Sequence, residues 1–135
     1  MRTRCALAVA AALGIAGCGE EDHANLDRPP ATINVTAAIA DGRIHVSPRE
    51  FCAGPIRLIV SNQTTAAQEL TLETGGGASG VTQTTAPIEP AGTGTLEVDV
   101  TEGDYEVSTA DGEVRPTALK VGAARPSAQN ELLQP

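Results

Sequence analysis

Between Thr32 and Val121 the apolar residues return with a period of two, and this alternation constrains the fold more than any other feature of the chain. Ile33, Val35 and Ala37 alternate with Thr32, Asn34 and Thr36; Ile56, Leu58 and Val60 alternate with Arg57, Ile59 and Ser61; Leu70 and Leu72 alternate with Glu69, Thr71 and Glu73. Leu96, Val98 and Val100 alternate with Thr95, Glu97, Asp99 and Thr101, Tyr105 and Val107 follow in phase after Glu102-Gly103-Asp104, and Leu119 and Val121 close the set. Successive side chains of a strand point to opposite faces, so each segment can bury one face and wet the other. No segment carries a helical i, i+3, i+4, i+7 stripe of useful length. Asp41-Gly42, set between the first run and Arg43-Ile44-His45-Val46, has the residue types of a tight hairpin turn. About seven short strands with Gly-, Pro- and Asn-rich turns between them predict an all-β fold, an antiparallel Greek-key β-sandwich.

The segment before this region reads differently. Arg2 and Arg4 precede an apolar stretch from Cys5 to about Ile15, which ends in Ile15-Ala16-Gly17-Cys18. A basic start, a short apolar run and small residues before a cysteine are the parts of a secretory signal peptide, and the run is shorter than the roughly 20 residues that span a bilayer. The motif resembles the lipobox of bacterial lipoproteins, in which the cysteine thiol is alkylated with diacylglycerol and the chain is cut just before it. That resemblance implies lipidation of Cys18, a mature chain starting there, and a protein held to the extracytoplasmic face of the cell membrane. Residues 1–17 are then the signal peptide and residues 18–30, acidic and ended by Pro29-Pro30, a flexible tether that holds His23 in solvent. The sandwich domain is expected over residues 31–122 and a tail over residues 123–135, where Leu132 and Leu133 either cap the domain, end it without structure, or dock a partner.

Removing residues 1–17 from the 135 leaves 118, enough for one small domain with a thin core. Phe51 and Tyr105 are the only aromatic residues and Trp is absent, so the core must come from Val, Ile, Leu and Ala, and no stacking platform for bases or sugars can be built. Loss of Arg2 and Arg4 takes the formal charge from −8 to −10, and no basic cluster is expected anywhere in the mature chain. This argues against nucleic acid and anionic headgroups as partners, and reads as a solvating surface for an exported protein. Cys5 leaves with the signal and Cys18 takes the lipid, so Cys52 has no partner for an intramolecular disulfide. It is expected to be a small buried apolar residue, with intermolecular pairing, redox sensing or metal ligation as the alternatives. Gly75-Gly76-Gly77-Ala78-Ser79-Gly80 lacks the helix start and Lys of a phosphate-cradling loop and is expected to be a solvent loop.

Three segments resemble the cupredoxin-like sandwich. Ile56-Arg57-Leu58-Ile59-Val60-Ser61-Asn62 is similar to its apolar strand ending in Asn, Ile88-Glu89-Pro90-Ala91-Gly92-Thr93 to its Pro-x-Gly turn, and Gly103-Asp104-Tyr105-Glu106-Val107 to its Gly-x-Tyr strand. The resemblance covers most of residues 31–121 and leaves an immunoglobulin-like sandwich as the rival topology. In copper-binding members a His follows the Asn, and a Cys, a second His and a Met follow the Gly-x-Tyr strand. Here Gln68 or Glu69 stands near the first His position, Thr109 falls at the Cys, and Ala110-Asp111-Gly112-Glu113-Val114-Arg115-Pro116 contains neither His nor Met. Type 1 copper needs a thiolate and two imidazoles, so the resemblance implies a fold of this kind that has lost its metal.

Other chemistry finds little support. His45 and Cys52 could pair for nucleophilic catalysis only if Ser47-Pro48-Arg49-Glu50-Phe51 folded back on itself. Zinc spacings are absent, while Glu97 with Asp99, or Asp104 with Asp111, offer carboxylates for calcium without the dense loop that such sites use. Paired carboxylates for glycoside chemistry lack an aromatic sugar platform. The reading that follows is a non-enzymatic, lipid-anchored envelope module without cofactor, with a membrane contact through Cys18 and an unidentified envelope protein partner. A copper or electron-transfer protein with unorthodox ligands, and a small enzyme resting on Cys52, are the alternatives.

Overall fold

The computed structural model describes residues 28–75 and 80–127; the signal segment, Cys18, His23, most of the tether, residues 76–79 of the glycine loop and residues 128–135 of the tail, with Leu132 and Leu133, lie outside the described residues. The alternating segments form eight strands: β1 (Ile33–Ala40), β2 (Arg43–Ser47), β3 (Glu50–Asn62), β4 (Leu70–Thr74), β5 (Thr82–Thr84), β6 (Thr93–Val100), β7 (Gly103–Thr109) and β8 (Thr117–Ala124). No α-helix occurs among the described residues. The strand beyond the expected seven is β5, whose Thr-Gln-Thr sequence is exposed throughout and carries no apolar phase to read.

Two sheets share one strand. In the first, β1 pairs with β2, and the C-terminal part of β3 lies between β1 and β6. In the second, the N-terminal part of β3 pairs with β8, followed by β7, β4 and β5. Most ladders are antiparallel, as the sequence predicts, but β3 runs parallel to both β1 and β8. The β1–β2 hairpin turns at Asp41 (φ 51°) and Gly42 (φ 68°), the two consecutive left-handed residues that a type I′ turn requires.

The transfer of β3 between sheets has a local cause. Its register with β8 shifts between Cys52 and Ala53, and Gly54 follows with φ 125°, a conformation that side chains rarely adopt. The room left by the missing Cβ is used: a Cβ at Gly54 would lie 2.7 Å from Nη2 of Arg125. That guanidinium donates to the carbonyls of Ala53 (3.1 Å), Pro55 (2.6 Å) and Ala31, so it ties the segments before β1 and after β8 to the crossing point. Strand β8 therefore continues two residues past the boundary expected at residue 122, and Arg125 belongs to the domain.

Between the sheets lie Val35, Ile39, Ile56, Leu58, Val60, Leu70, Leu72, Leu96, Tyr105, Val107, Leu119 and Val121, each at the inward phase of its strand. Phe51 packs against this core from its edge. Tyr105 fills the second sheet's share at 2% exposure, and its hydroxyl accepts a hydrogen bond from the Thr101 amide at 3.1 Å. Cys52 departs from the expectation of burial. Phe51 and Ala53 face inward on β3, so the alternation turns Cys52 out, and it is an exposed free thiol.

Candidate functional site

One end of the sandwich gathers the polar residues that the core otherwise excludes. Asn62, the last residue of β3, is fully buried, and each polar group of its side chain is matched. Its Nδ2 donates to the carbonyls of Ala66 and Ile88, both at 2.7 Å, while its Oδ1 accepts from the Thr64 amide at 2.9 Å and the Thr64 hydroxyl at 2.8 Å. Its backbone bonds to the turn at Pro90-Ala91-Gly92. Burying an amide is tolerable only when it is satisfied in this way, so Asn62 acts as a bracket between the loop after β3 and the loop before β6.

Beside this bracket, the positions that the resemblance assigns to metal ligands meet one another. Gln68 is fixed by a two-way backbone bridge to Ile88, and its Nε2 donates to Oδ2 of Asp111 at 2.9 Å. Thr109, at the end of β7, donates its hydroxyl to Oδ1 of the same carboxylate at 2.8 Å, and the Glu113 amide adds a third bond at 3.2 Å. Gln68 and Thr109 are buried, whereas Asp111 lies at the surface. The Gln68 amide, then the Thr109 hydroxyl, hold the Asp111 carboxyl below its usual range, against a small opposing effect of burial. The result is a closed amide–carboxylate–hydroxyl network that secures the β7–β8 loop to the loop before β4. Glu69, the other residue near the first His position, turns away from the core on the opposite phase from Gln68.

The remaining sequence candidates are not brought together. His45 stands opposite Ala38 in the first sheet and Cys52 opposite Gly122 in the second. Glu97 pairs with Arg57 at 2.8 Å on the exposed face of β6 and β3, and Asp99, exposed beside it, has no such pair among the described residues. Asp104 is the second residue of β7 and Asp111 follows its far end, so the strand's length separates them. Among the described residues, no three His, Cys, Asp or Glu side chains converge as a metal-binding group.

The fold also assembles a feature that no linear run announces. Arg43, Arg49 and Arg115 line one open cavity of about 430 Å³ together with Ile44, His45, Val46, Pro116 and Thr117. The expectation that the mature chain has no basic cluster therefore holds along the sequence and fails in space. Residues 43 and 115 become neighbours because the start of β2 forms a parallel bridge with the loop before β8, with the Arg115 amide bonded to the Gly42 carbonyl at 3.0 Å. No local signal in the sequence could have shown it.

No protein-family model matches the chain. No curated protein matches it either. Among solved structures it is similar to auracyanin A, a "blue" copper protein from the green thermophilic photosynthetic bacterium Chloroflexus aurantiacus. The TM-score is 0.56 at 10% identity, covering 68% of this chain and 100% of that one. It is also similar to auracyanin B, with TM-score 0.53 and 16% identity over 71% of this chain and 92% of that one. These likenesses show that the sandwich has the cupredoxin-like fold. The copper that the fold implies requires a soft thiolate and imidazoles, and the residues at the corresponding end supply an amide, a hydroxyl and a carboxylate already bonded to each other. These three groups differ from the thiolate and imidazoles of a type 1 copper centre.

Proposed function

We propose that this protein is a lipid-anchored component of the cell envelope whose cupredoxin-like sandwich serves as a non-enzymatic binding or accessory module and works without a bound metal. The observation that carries the reading is the Gln68–Asp111–Thr109 network, in which oxygen and amide groups with no redox chemistry replace the soft donors of the fold's metal centre and are used up in holding two loops together. The lipobox-like Ile15-Ala16-Gly17-Cys18 supports attachment through Cys18, where two acyl chains would give lasting binding that a single chain does not. Among the described residues, no helix is long and apolar enough to cross a membrane.

Likeness to blue copper proteins favours a second reading, electron transfer through unorthodox ligands, and one preparation separates the two. Membrane-fraction protein purified without chelators is expected to show an intact mass beginning at Cys18 with added diacylglycerol and acyl chains, no stoichiometric copper, and no intense visible band on titration with Cu(II) or Cu(I). A mature chain starting at residue 18 without lipid refutes the anchor. A strong thiolate-to-copper band that disappears in Cys52→Ser refutes the metal-free module and establishes the second reading.

A further inference from the structure

We propose that the cavity between β2 and the loop before β8 binds a small ligand through an oxyanion, a phosphate or carboxylate group held by Arg43, Arg49 and Arg115. The inference stands apart from the anchor at Cys18 and from the network at Asp111. It starts from charge. The mature chain carries a formal −10, yet three of its few cations line a single cavity. None of the three guanidinium groups has a side-chain hydrogen bond or an ion pair among the described residues, whereas Arg57 is engaged by Glu97 and Arg125 by three carbonyls. Gathering like charges is unfavourable in the absence of a counter-charge, and an anion seated between them reverses the sign of that cost.

The backbone beneath these side chains is held by hydrogen bonds to neighbouring segments, which fixes where they leave the sheet. The Arg115 amide bonds to the Gly42 carbonyl, the Thr117 hydroxyl donates to the Ile44 carbonyl at 2.6 Å, and the Arg49 carbonyl accepts from the Lys120 amide at 2.9 Å. Each guanidinium presents planar paired donors that match two oxygens of a phosphate or carboxylate. His45 adds a ring that can take part in hydrogen bonding at the same wall. The cavity of about 430 Å³ falls within the range of small-ligand sites, roughly 300–1,000 Å³, and exceeds what a bare oxyanion needs. Val46 and Pro116 offer an apolar wall for a small organic body attached to the anion. All three arginines are exposed, so binding is expected to weaken as salt is added.

The test uses the full chain in neutral detergent micelles, with amide chemical shifts followed during two titrations, one with inorganic phosphate and one with phosphatidylglycerol mixed into the micelles. Saturable shifts confined to residues 43–49 and 115–117 are expected, with affinity reduced about 10-fold or more by Arg43→Gln or Arg115→Gln, the loss of a charge-assisted contact, and unchanged by Arg57→Gln. Saturation by free phosphate identifies a soluble ligand; saturation by phosphatidylglycerol alone identifies a headgroup, and either supports the site. The inference is overturned if neither titration saturates, if both pocket variants bind like the parent, or if Arg57→Gln weakens binding as much as they do. The amide spectra also report whether each variant remains folded.

Discussion

Replacing Tyr105 separates the contribution of its ring from that of its hydroxyl. The ring is 2% exposed, and its residue lies between Thr74 of β4 and Leu119 of β8 in the second sheet. A tyrosine of this kind buries roughly 150–200 Å², which at about 25 cal/mol per Å² amounts to about 4–5 kcal/mol. Alanine recovers little of this and leaves a cavity, so Tyr105→Ala is expected to cost about 3–5 kcal/mol of the roughly 5–10 kcal/mol available to a small domain. Phe51 is the one other aromatic side chain in the chain and sits at the edge of the core, so no second ring can fill the space. Tyr105→Phe keeps the ring and loses the bond from the Thr101 amide. Thr101 is exposed and water can take over that donor, which places the cost at the lower end of about 0.5–1.5 kcal/mol. Equilibrium urea unfolding followed by far-ultraviolet circular dichroism measures both variants on one scale. A loss below about 1 kcal/mol for Tyr105→Ala, or equal losses for the two variants, would refute the assignment of the ring to the core.

Asn62→Ala removes one of two donors from each of the Ala66 and Ile88 carbonyls and the acceptor of the Thr64 amide at a fully buried position, and is expected to destabilise by about 1–3 kcal/mol in the same melts while increasing hydrogen exchange around residues 64–68 and 88–92. Arg125→Ala, or truncation after residue 122, removes the clamp on β3 and is expected to lower the urea midpoint, whereas Arg57→Ala, at an exposed ion pair, lowers it much less. Asp111→Asn tests the loop network through pH. The folded carboxyl titrates below its unfolded value, so its contribution is present above the unfolded pKa of about 3.9 and is lost as pH falls through the lower folded pKa. The stability gap between parent and variant is therefore expected to be open at pH 6 and to close in strong acid; a gap independent of pH overturns the network.

The inward phase of the core was legible because burial on one face leaves a period that the sequence must keep. Val35, Leu58, Leu72, Leu96, Val107 and Val121 all lie where the alternation puts them. Asp41-Gly42 was legible for a similar reason, since few residue pairs accept two left-handed conformations. Strand order was not: the parallel ladders of β3 with β1 and β8 depend on which edges meet, and the period of a strand is the same whichever neighbour it takes. The first part of β3 was concealed by Gly54 and Pro55, residue types that ordinarily end a strand, and Cys52 was misplaced with it. The Gln68–Asp111–Thr109 site was half visible. Resemblance marked Gln68 and Thr109 as replacements, while the Asp111 carboxylate that joins them emerges only when two loops more than 40 residues apart are brought together. Arg43 and Arg115 lie still further apart, and charge carries no periodic mark that could pair them.

Arg125 bonds to Ala31, and Ser127 donates to the Arg28 carbonyl at 2.6 Å, so entry and exit of the chain coincide at the middle of β3. From there β1 runs away for six residues from Ile33 to Ile39, about 20 Å, before it reaches the level of Asn62. The domain is thus a pendant with a single point of suspension. With Cys18 as the anchor proposed above, both the leader and the tail depart from the near end, and the polar end at Asn62 and Asp111 is carried outward, on the side from which a soluble partner would approach. Tension drawn through the leader would be borne by the Ser127–Arg28 bond and then by the Arg125 clamp, before any core strand is loaded. Because residues 28 and 127 already touch, a domain closed there through a short linker and reopened at Asp41-Gly42 would keep the other ladders and invert the arrangement, hanging the same sandwich by its other end.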